Sequence, residues 1–218
     1  MNWKLLRFAP WLDTRASFVA RIPKNGTLLD LGSSDGETLC HFAELRPDLR
    51  LHSVDIAGTP DKYPVNCQFK RADLQRDRLP WPDASMTAVT CMHLVEHLPD
   101  SSFLMGEVAR LLAPDGRAYF ETPHPRTVDL PSPTGNAAGT FTLNFHDDPT
   151  HIRVVPTAML AGMARSNGLE IITEGISRNL LFAASHLAYQ FLPASRRKFT
   201  AQVHWVGWSA FLIAQRAL

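Results

Sequence analysis

The sequence predicts an α/β protein built on a doubly wound, mostly parallel seven-stranded sheet with an antiparallel C-terminal strand. Three observations carry that prediction. Apolar strand-like runs alternate with helical periodicity from Thr27 onward, as in a parallel sheet covered on both faces. The first run ends in a Gly/Ser-rich turn, GSSDG, before a helical pattern opens. Two apolar runs follow the last amphipathic helix, and they can pair antiparallel at the sheet edge.

In order, the strands are read at Thr27 to Leu31, Leu51 to Asp55, Cys67 to Lys70, Met86 to Met92, Arg117 to Glu121, Leu169 to Glu174, and around Val203 to Ala214. Leu39, Phe42, Ala43 and Leu45 form one helical stripe, ended by Pro47. Phe103, Leu104, Val108, Leu111 and Leu112 form another, ended by Pro114 and Gly116, and a third helix runs from Pro156 to Asn167–Gly168. Pro123, Pro125, Pro131, Pro133, Gly135 and Gly139 crowd a long loop, placed over 123–155 on the acceptor side of the site. Residues 1–25 read as a helical cap, and 178–200 as a helical excursion over the sheet or the site mouth.

The chain has 218 residues, of which 45% are hydrophobic and 20% charged, so one globular domain, 1–218, is expected. A net charge of +1 supplies no field for nucleic acid. Cys40, Cys67 and Cys91 lie in or beside apolar segments with no CxxC pair, which suits buried thiols and a reducing cytoplasm. The N-terminus lacks the uninterrupted apolar stretch of a signal peptide. Leu180 to Leu192 is too short to span a bilayer and is expected to pack on the sheet. The alternative is a weak membrane-surface contact, made with Arg196, Arg197, Lys198 and the cationic, aromatic N-terminus.

Gly32 and Gly36 can take positive φ and carry no Cβ, so backbone and ligand approach closely at the start of the following helix. A tight strand-to-helix connection without a ligand looks similar, and the companions decide. Asp55 ends the second strand 19 residues after Gly36, where an acid can accept from both ribose hydroxyls. Ala72, Asp73 and Leu74 follow the third strand; then come LPWPDASMTAVTCMHLVEHLPD and LLAPDGRAYFETPHP.

With these motifs in this order, Thr27 to Pro125 resembles the class I S-adenosylmethionine-dependent methyltransferases, in the small-molecule branch related to ubiquinone- and biotin-pathway enzymes. The resemblance implies a Rossmann-like methyltransferase fold and S-adenosyl-L-methionine as cofactor. It makes Asp30, Gly32, Ser33, Ser34 and Gly36 the cofactor loop, and Asp55, with Ile56 beside it, the ribose acid. Asp73 and Leu74 match the positions at the adenine edge, and Cys91, Met92 and His93 the strand end beside the methionine moiety. Ser34 stands where the family commonly has a middle glycine, which leaves the loop geometry open. GSSDG lacks the G-x-G-x-x-G spacing of a dinucleotide site.

HLVEH, His93 to His97, matches an H-x-x-E-H zinc pattern in letters. A strand leads straight into it and Pro99 follows it, so no metal is expected there. LNFHDDPTHIRVVP brings His146, Asp147, Asp148 and His151 together. His151 or His146 is the candidate base for a hydroxyl attacking the sulfonium methyl; the alternative is that Asp148 and Thr150 cap the turn and the histidines brace it. The spacing of His124, His146, Asp148 and His151 matches no closed zinc site. DPTH is also similar to a stretch of glycan-associated methyltransferases, which ranks a small-molecule or glycan-like acceptor, methylated at oxygen, first. N- or C-methylation in cofactor or natural-product synthesis, and a non-catalytic partner subunit, are the alternatives.

Overall fold

A computed structural model describes residues 3–133 and 141–217. Gly135 and Gly139, and with them part of the expected 123–155 loop, lie outside the described residues. Seven strands form one sheet in the order β3-β2-β1-β4-β5-β7-β6. They are β1 (Thr27–Leu31), β2 (Arg50–Asp55), β3 (Cys67–Arg71), β4 (Met86–Met92), β5 (Leu112–Pro123), β6 (Leu169–Ser177) and β7 (Ser209–Arg216). β1 to β5 pair in parallel; β7 runs antiparallel to both β5 and β6. The helices are α1 (Trp3–Leu6), α2 (Thr14–Ala20), α3 (Glu37–Leu45), α4 (Ser102–Leu111), α5 (Thr157–Ser166), α6 (Leu180–Tyr189) and α7 (Arg196–Val206).

Side chains of successive strand residues point to opposite faces, so each central strand feeds two cores. Leu29, Leu31, Val89, Cys91 and Phe120 face Leu104, Val108 and Leu111 of α4 and Leu160 and Ala164 of α5. Leu28, Leu51, Ala88 and Tyr119 face Trp3 and Leu6 of α1, Phe18 and Val19 of α2, and Leu39 and Phe42 of α3. Helices therefore cover both faces, and the polar ends of the parallel strands are left at one edge. Cys91 is buried, Cys40 and Cys67 are half-buried, and all three are free thiols.

Three expectations are corrected. The last strand starts at Ser209, because Val203 to Val206 complete α7, which ends on Gly207 at φ +63°; a short apolar run such as VHWV fits either period. The fifth strand begins at Leu112 instead of Arg117: the chain passes from α4 straight into the ladder, with the register shifting opposite Met86 to Ala88 around Pro114 and Gly116. The apolar run at Leu180 to Leu192 does not pack on the sheet. Ala183 is the only buried residue of α6, while Leu180, Leu181, Leu187, Phe191 and Leu192 are exposed.

Among the described residues, no helix is long and apolar enough to cross a membrane. A cavity of about 300 Å³ beside Thr87 and Gly116 lies at the amino ends of β4 and β5, away from the edge that carries the motif residues.

Candidate functional site

Parallel pairing of β1 to β4 brings all four strand-end motifs singled out in the sequence to one edge, which is where open α/β sheets bind ligands. The loop after β1 folds through three left-handed residues: Gly32 at φ +71°, Ser34 at +48° and Gly36 at +76°. A Cβ on Gly36 would stand 2.8 Å from the Tyr63 ring, so that position excludes a side chain on steric grounds as well. The departure at Ser34 leaves the loop shape intact, since the serine adopts the conformation that a glycine takes at no steric cost. Its N–H donates to Asp55 Oδ2 at 2.8 Å, and its carbonyl accepts from the Tyr63 hydroxyl at 2.7 Å. Ser34→Gly is expected to keep cofactor affinity and to stabilise the fold by up to about 1 kcal/mol, read by urea unfolding.

Asp55 closes β2 with both oxygens positioned by backbone N–H groups, Ser34 on Oδ2 and Ala57 on Oδ1, each at 2.8 Å. A carboxylate has about four lone-pair directions, so each oxygen retains one for a further donor. Ile56, next in sequence, is 63% exposed and offers an apolar face beside that acid. Asp73 is held locally, by the Gln75 N–H at 3.0 Å and Arg76 Nε at 3.0 Å. Leu74 is buried in the core next to Val54 and Leu79. Cys91 is buried too, and burial pushes its thiol well above the usual range, so its sulfur is inert and only its backbone borders the edge.

Asp30 lies beneath the loop, 3% exposed, accepting from the Thr90 hydroxyl at 2.6 Å. Burial pushes this carboxyl up to about 7, and the Thr90 bond offsets only part of the shift. A carboxyl with a raised folded pKa destabilises the fold as pH climbs through the window from its unfolded value to about 7. Asp30→Asn keeps the oxygen that Thr90 bonds. It should therefore raise the melting temperature more at about pH 8 than at about pH 5; an equal gain at both would remove the ionisation argument.

Sequence reasoning missed a buried charge cluster at the same edge. Glu121 on β5 is 1% exposed and receives Arg15 of α2 through both guanidinium arms, with Nε to Oε2 at 3.0 Å. Around the same carboxylate stand His93 Nε2 at 3.1 Å, the Tyr119 hydroxyl at 2.6 Å and the Ser177 hydroxyl at 2.9 Å. Burial would raise the Glu121 carboxyl, but Arg15 and His93 outweigh it and hold it well below the carboxylate range. Burial likewise opposes the charge on His93, yet the hydrogen bonds its ring donates to Glu121 and Glu96 win and raise the imidazole to about 9. At neutral pH His93 is thus an imidazolium. It sits directly after β4 at φ +51°, fixed between Glu96 Oε1 at 3.2 Å and Glu121. Of this cluster the sequence singled out His93, and Glu121 near the end of the apolar run in RAYFET was a second available signal; nothing in the sequence marked the partnership with Arg15, or Tyr63.

His93 and His97 do not share a helix face, because Val95–His97 is a single 3₁₀ turn and the two rings go to different partners. His97 Nδ1 lies 3.1 Å from the Thr150 carbonyl, and His151 Nδ1 lies 2.6 Å from the Phe145 carbonyl. A carbonyl only accepts, so both rings donate from Nδ1, and Nε2 is the nitrogen each leaves for another partner. Glu96, fully buried, has Oε2 without a hydrogen-bond partner among the described residues. One ligand atom each from Glu96, His97 and His151 lie within 4.8 Å of one another, a grouping that could hold a cation. His146 stays outside it, exposed and capped by Asn144, and His124 caps its own turn by accepting from the Arg126 N–H at 3.2 Å. Asp148 and Thr150 do cap the turn, with Thr150 N–H on Asp148 Oδ1 at 2.8 Å.

A glycine-turn loop, a strand-end acid and a buried polar cluster along the carboxyl edge of a β3-β2-β1-β4-β5-β7-β6 sheet are arranged on the Rossmann-like fold of class I methyltransferases. The chain belongs to the methyltransferase-domain family, whose profile matches residues 4–174. It is 32% identical over 168 residues to a ubiquinone biosynthesis O-methyltransferase of Thiobacillus denitrificans, covering 73% of this chain and 69% of that one. It is 28% identical over 151 residues to an uncharacterized methyltransferase of Bacillus subtilis, covering 65% and 56%. The chain thus spans little more than half of that relative. A solved S-adenosylmethionine-dependent methyltransferase of Mesorhizobium loti superposes with a TM-score of 0.62 at 17% identity, covering 93% of this chain and 97% of that one, a likeness of fold.

Proposed function

We propose that the chain transfers the methyl group of S-adenosylmethionine to the oxygen of a small-molecule or glycan-like acceptor. The observation that carries the cofactor half is the Asp55–Ser34–Tyr63 arrangement, which presents an acid with free lone pairs beside a loop kept open by Gly32 and Gly36. In this reading the ribose hydroxyls donate to Asp55, the adenine lies over Ile56 with its edge toward Asp73 and Leu74, and the methionine moiety follows the loop toward Met92 and His93. Oxygen is favoured as the acceptor atom because of the low-identity likeness to O-methyltransferases. The sulfonium is already activated, so alignment of donor and acceptor supplies most of the acceleration, and a base adds about two to four orders of magnitude.

His151 is the base of choice. Its Nδ1 is committed to a carbonyl, which leaves Nε2 as the nitrogen for a substrate proton, and the segment that bears it is clamped beside the β4 end by Ile152 N–H on the Glu96 carbonyl at 2.9 Å. His146, out in solvent, takes no part. His151→Gln should lower kcat by about 10²–10⁴, with the affinity for S-adenosylhomocysteine unchanged. Turnover is expected to survive exhaustive chelation. Loss with EDTA that zinc or magnesium restores would instead make Glu96, His97 and His151 ligands.

A further inference from the structure

A cavity of about 770 Å³ opens between the N-terminal segment, the start of α3 and the α6–α7 pair, reaching Arg15 and Ser177 of the charge cluster at its floor. Its charged groups are unevenly satisfied. Asp13 is spent on the Ala16 N–H and the Asn179 amide, and Arg15 on Glu121. Arg178 bonds a neutral carbonyl, that of Trp205, at 2.9 Å, and no carboxylate among the described residues lies within ion-pair distance of it or of Arg197. Arg196 reaches Glu37 only at 4.0 Å, with both side chains largely exposed. His204 adds a neutral donor: its Nδ1 accepts from the Asn179 N–H at 3.1 Å, which leaves the ring proton on Nε2.

The same cavity has an apolar wall of Leu181 and Phe182, and Leu187 of α6 with Phe191 and Leu192 of the turn after it are turned to solvent. The N-terminal segment, joined to the start of α6 by the Asp13–Asn179 bridge, exposes Leu5, Phe8 and Trp11. Guanidinium groups without acids select phosphate-type oxyanions, and apolar side chains along the wall beside them suit an apolar occupant.

We infer that this cavity binds an amphiphilic anion, with a phosphate or diphosphate group on Arg178, Arg196 and Arg197 and its hydrocarbon along α6. The inference rests on the methyltransferase reading and names the acceptor class for it. The reacting oxygen then lies on the part of the acceptor that reaches past Ser177 toward the β4 end.

Calorimetry of the full chain with monomeric octyl phosphate, with octyl glucoside as the uncharged probe, tests it. Octyl phosphate should bind at least about tenfold more tightly than octyl glucoside, and its affinity should fall as NaCl rises from about 50 to about 500 mM. Arg197 makes no hydrogen bond or ion pair among the described residues, so Arg197→Gln leaves the fold intact and should weaken octyl phosphate alone by about tenfold. Equal binding of the two probes, or an Arg197→Gln variant that binds octyl phosphate as the parent does, overturns the inference.

Vesicles of phosphatidylcholine with and without about 20% phosphatidylglycerol separate a soluble ligand from a lipid surface. Sedimentation with the anionic vesicles by a protein that ignores monomeric octyl phosphate assigns the arginines to a bilayer and overturns the cavity site. S-adenosylhomocysteine titrated separately distinguishes the two failures: its binding without octyl phosphate binding removes this inference alone, and its absence removes the cofactor reading beneath it.

Discussion

Asp55→Ala is expected to weaken S-adenosylmethionine and S-adenosylhomocysteine binding by about 1.5–3 kcal/mol, the range for hydrogen bonds to a charged group. The effect has two sources. The variant loses the acceptor for the ribose hydroxyls, and it also releases the Ser34 and Ala57 N–H groups that the carboxylate holds at 2.8 Å. Asp55→Asn separates them, since the amide oxygen can still accept from one N–H while the charge is gone. Affinities from calorimetry should then rank parent, Asn and Ala in falling order. No measurable binding of either molecule by the parent chain would remove the cofactor assignment altogether.

Arg15→Met should cost about 3–5 kcal/mol of stability, the penalty for stripping one partner from a buried ion pair. Glu121 would be left 1% exposed with its charge opposed by His93 alone. The double variant Arg15→Met with Glu121→Gln should recover part of the loss, because it removes the stranded charge as well. His93 gives this cluster a pH signature. Its imidazole is raised to about 9 in the fold, so its contribution is fully present below the unfolded value of about 6.5 and disappears as pH rises through about 9. Urea unfolding of the parent should show that decline across the window, and His93→Gln should flatten it. A parent whose stability is level from about pH 6.5 to 9 would contradict a charged His93.

The cluster also explains why the N-terminal segment and the antiparallel strands are built into the site edge. Arg15 comes from α2, His93 from the β4 end, Tyr119 and Glu121 from β5, and Ser177 from the β6 end. One carboxylate fastens four elements far apart in sequence, so an N-terminal truncation that removes Arg15 acts on the site as well as on the helical layer.

The amino-acid order by itself determined the strand sequence β1 to β4, the glycine loop and Asp55, because each is a local pattern: a short apolar run, a turn that needs positive φ, an acid at a strand end. It also determined that α5 precedes two strands able to pair antiparallel. Tertiary structure decided the rest. Whether VHWV is helix or strand depended on Gly207 and on the start of β7 at Ser209, which no window of that length can distinguish. That α6 lies exposed although its run is apolar enough for a core followed from the sheet already being covered by α1 to α5. The Ser34 conformation was fixed by Asp55 and Tyr63, and the pairing of Arg15 with Glu121 spans 106 residues. Such partners are chosen by the closing of the sheet, because a charge buried during folding must be met by whatever opposite charge the topology delivers within a few ångströms.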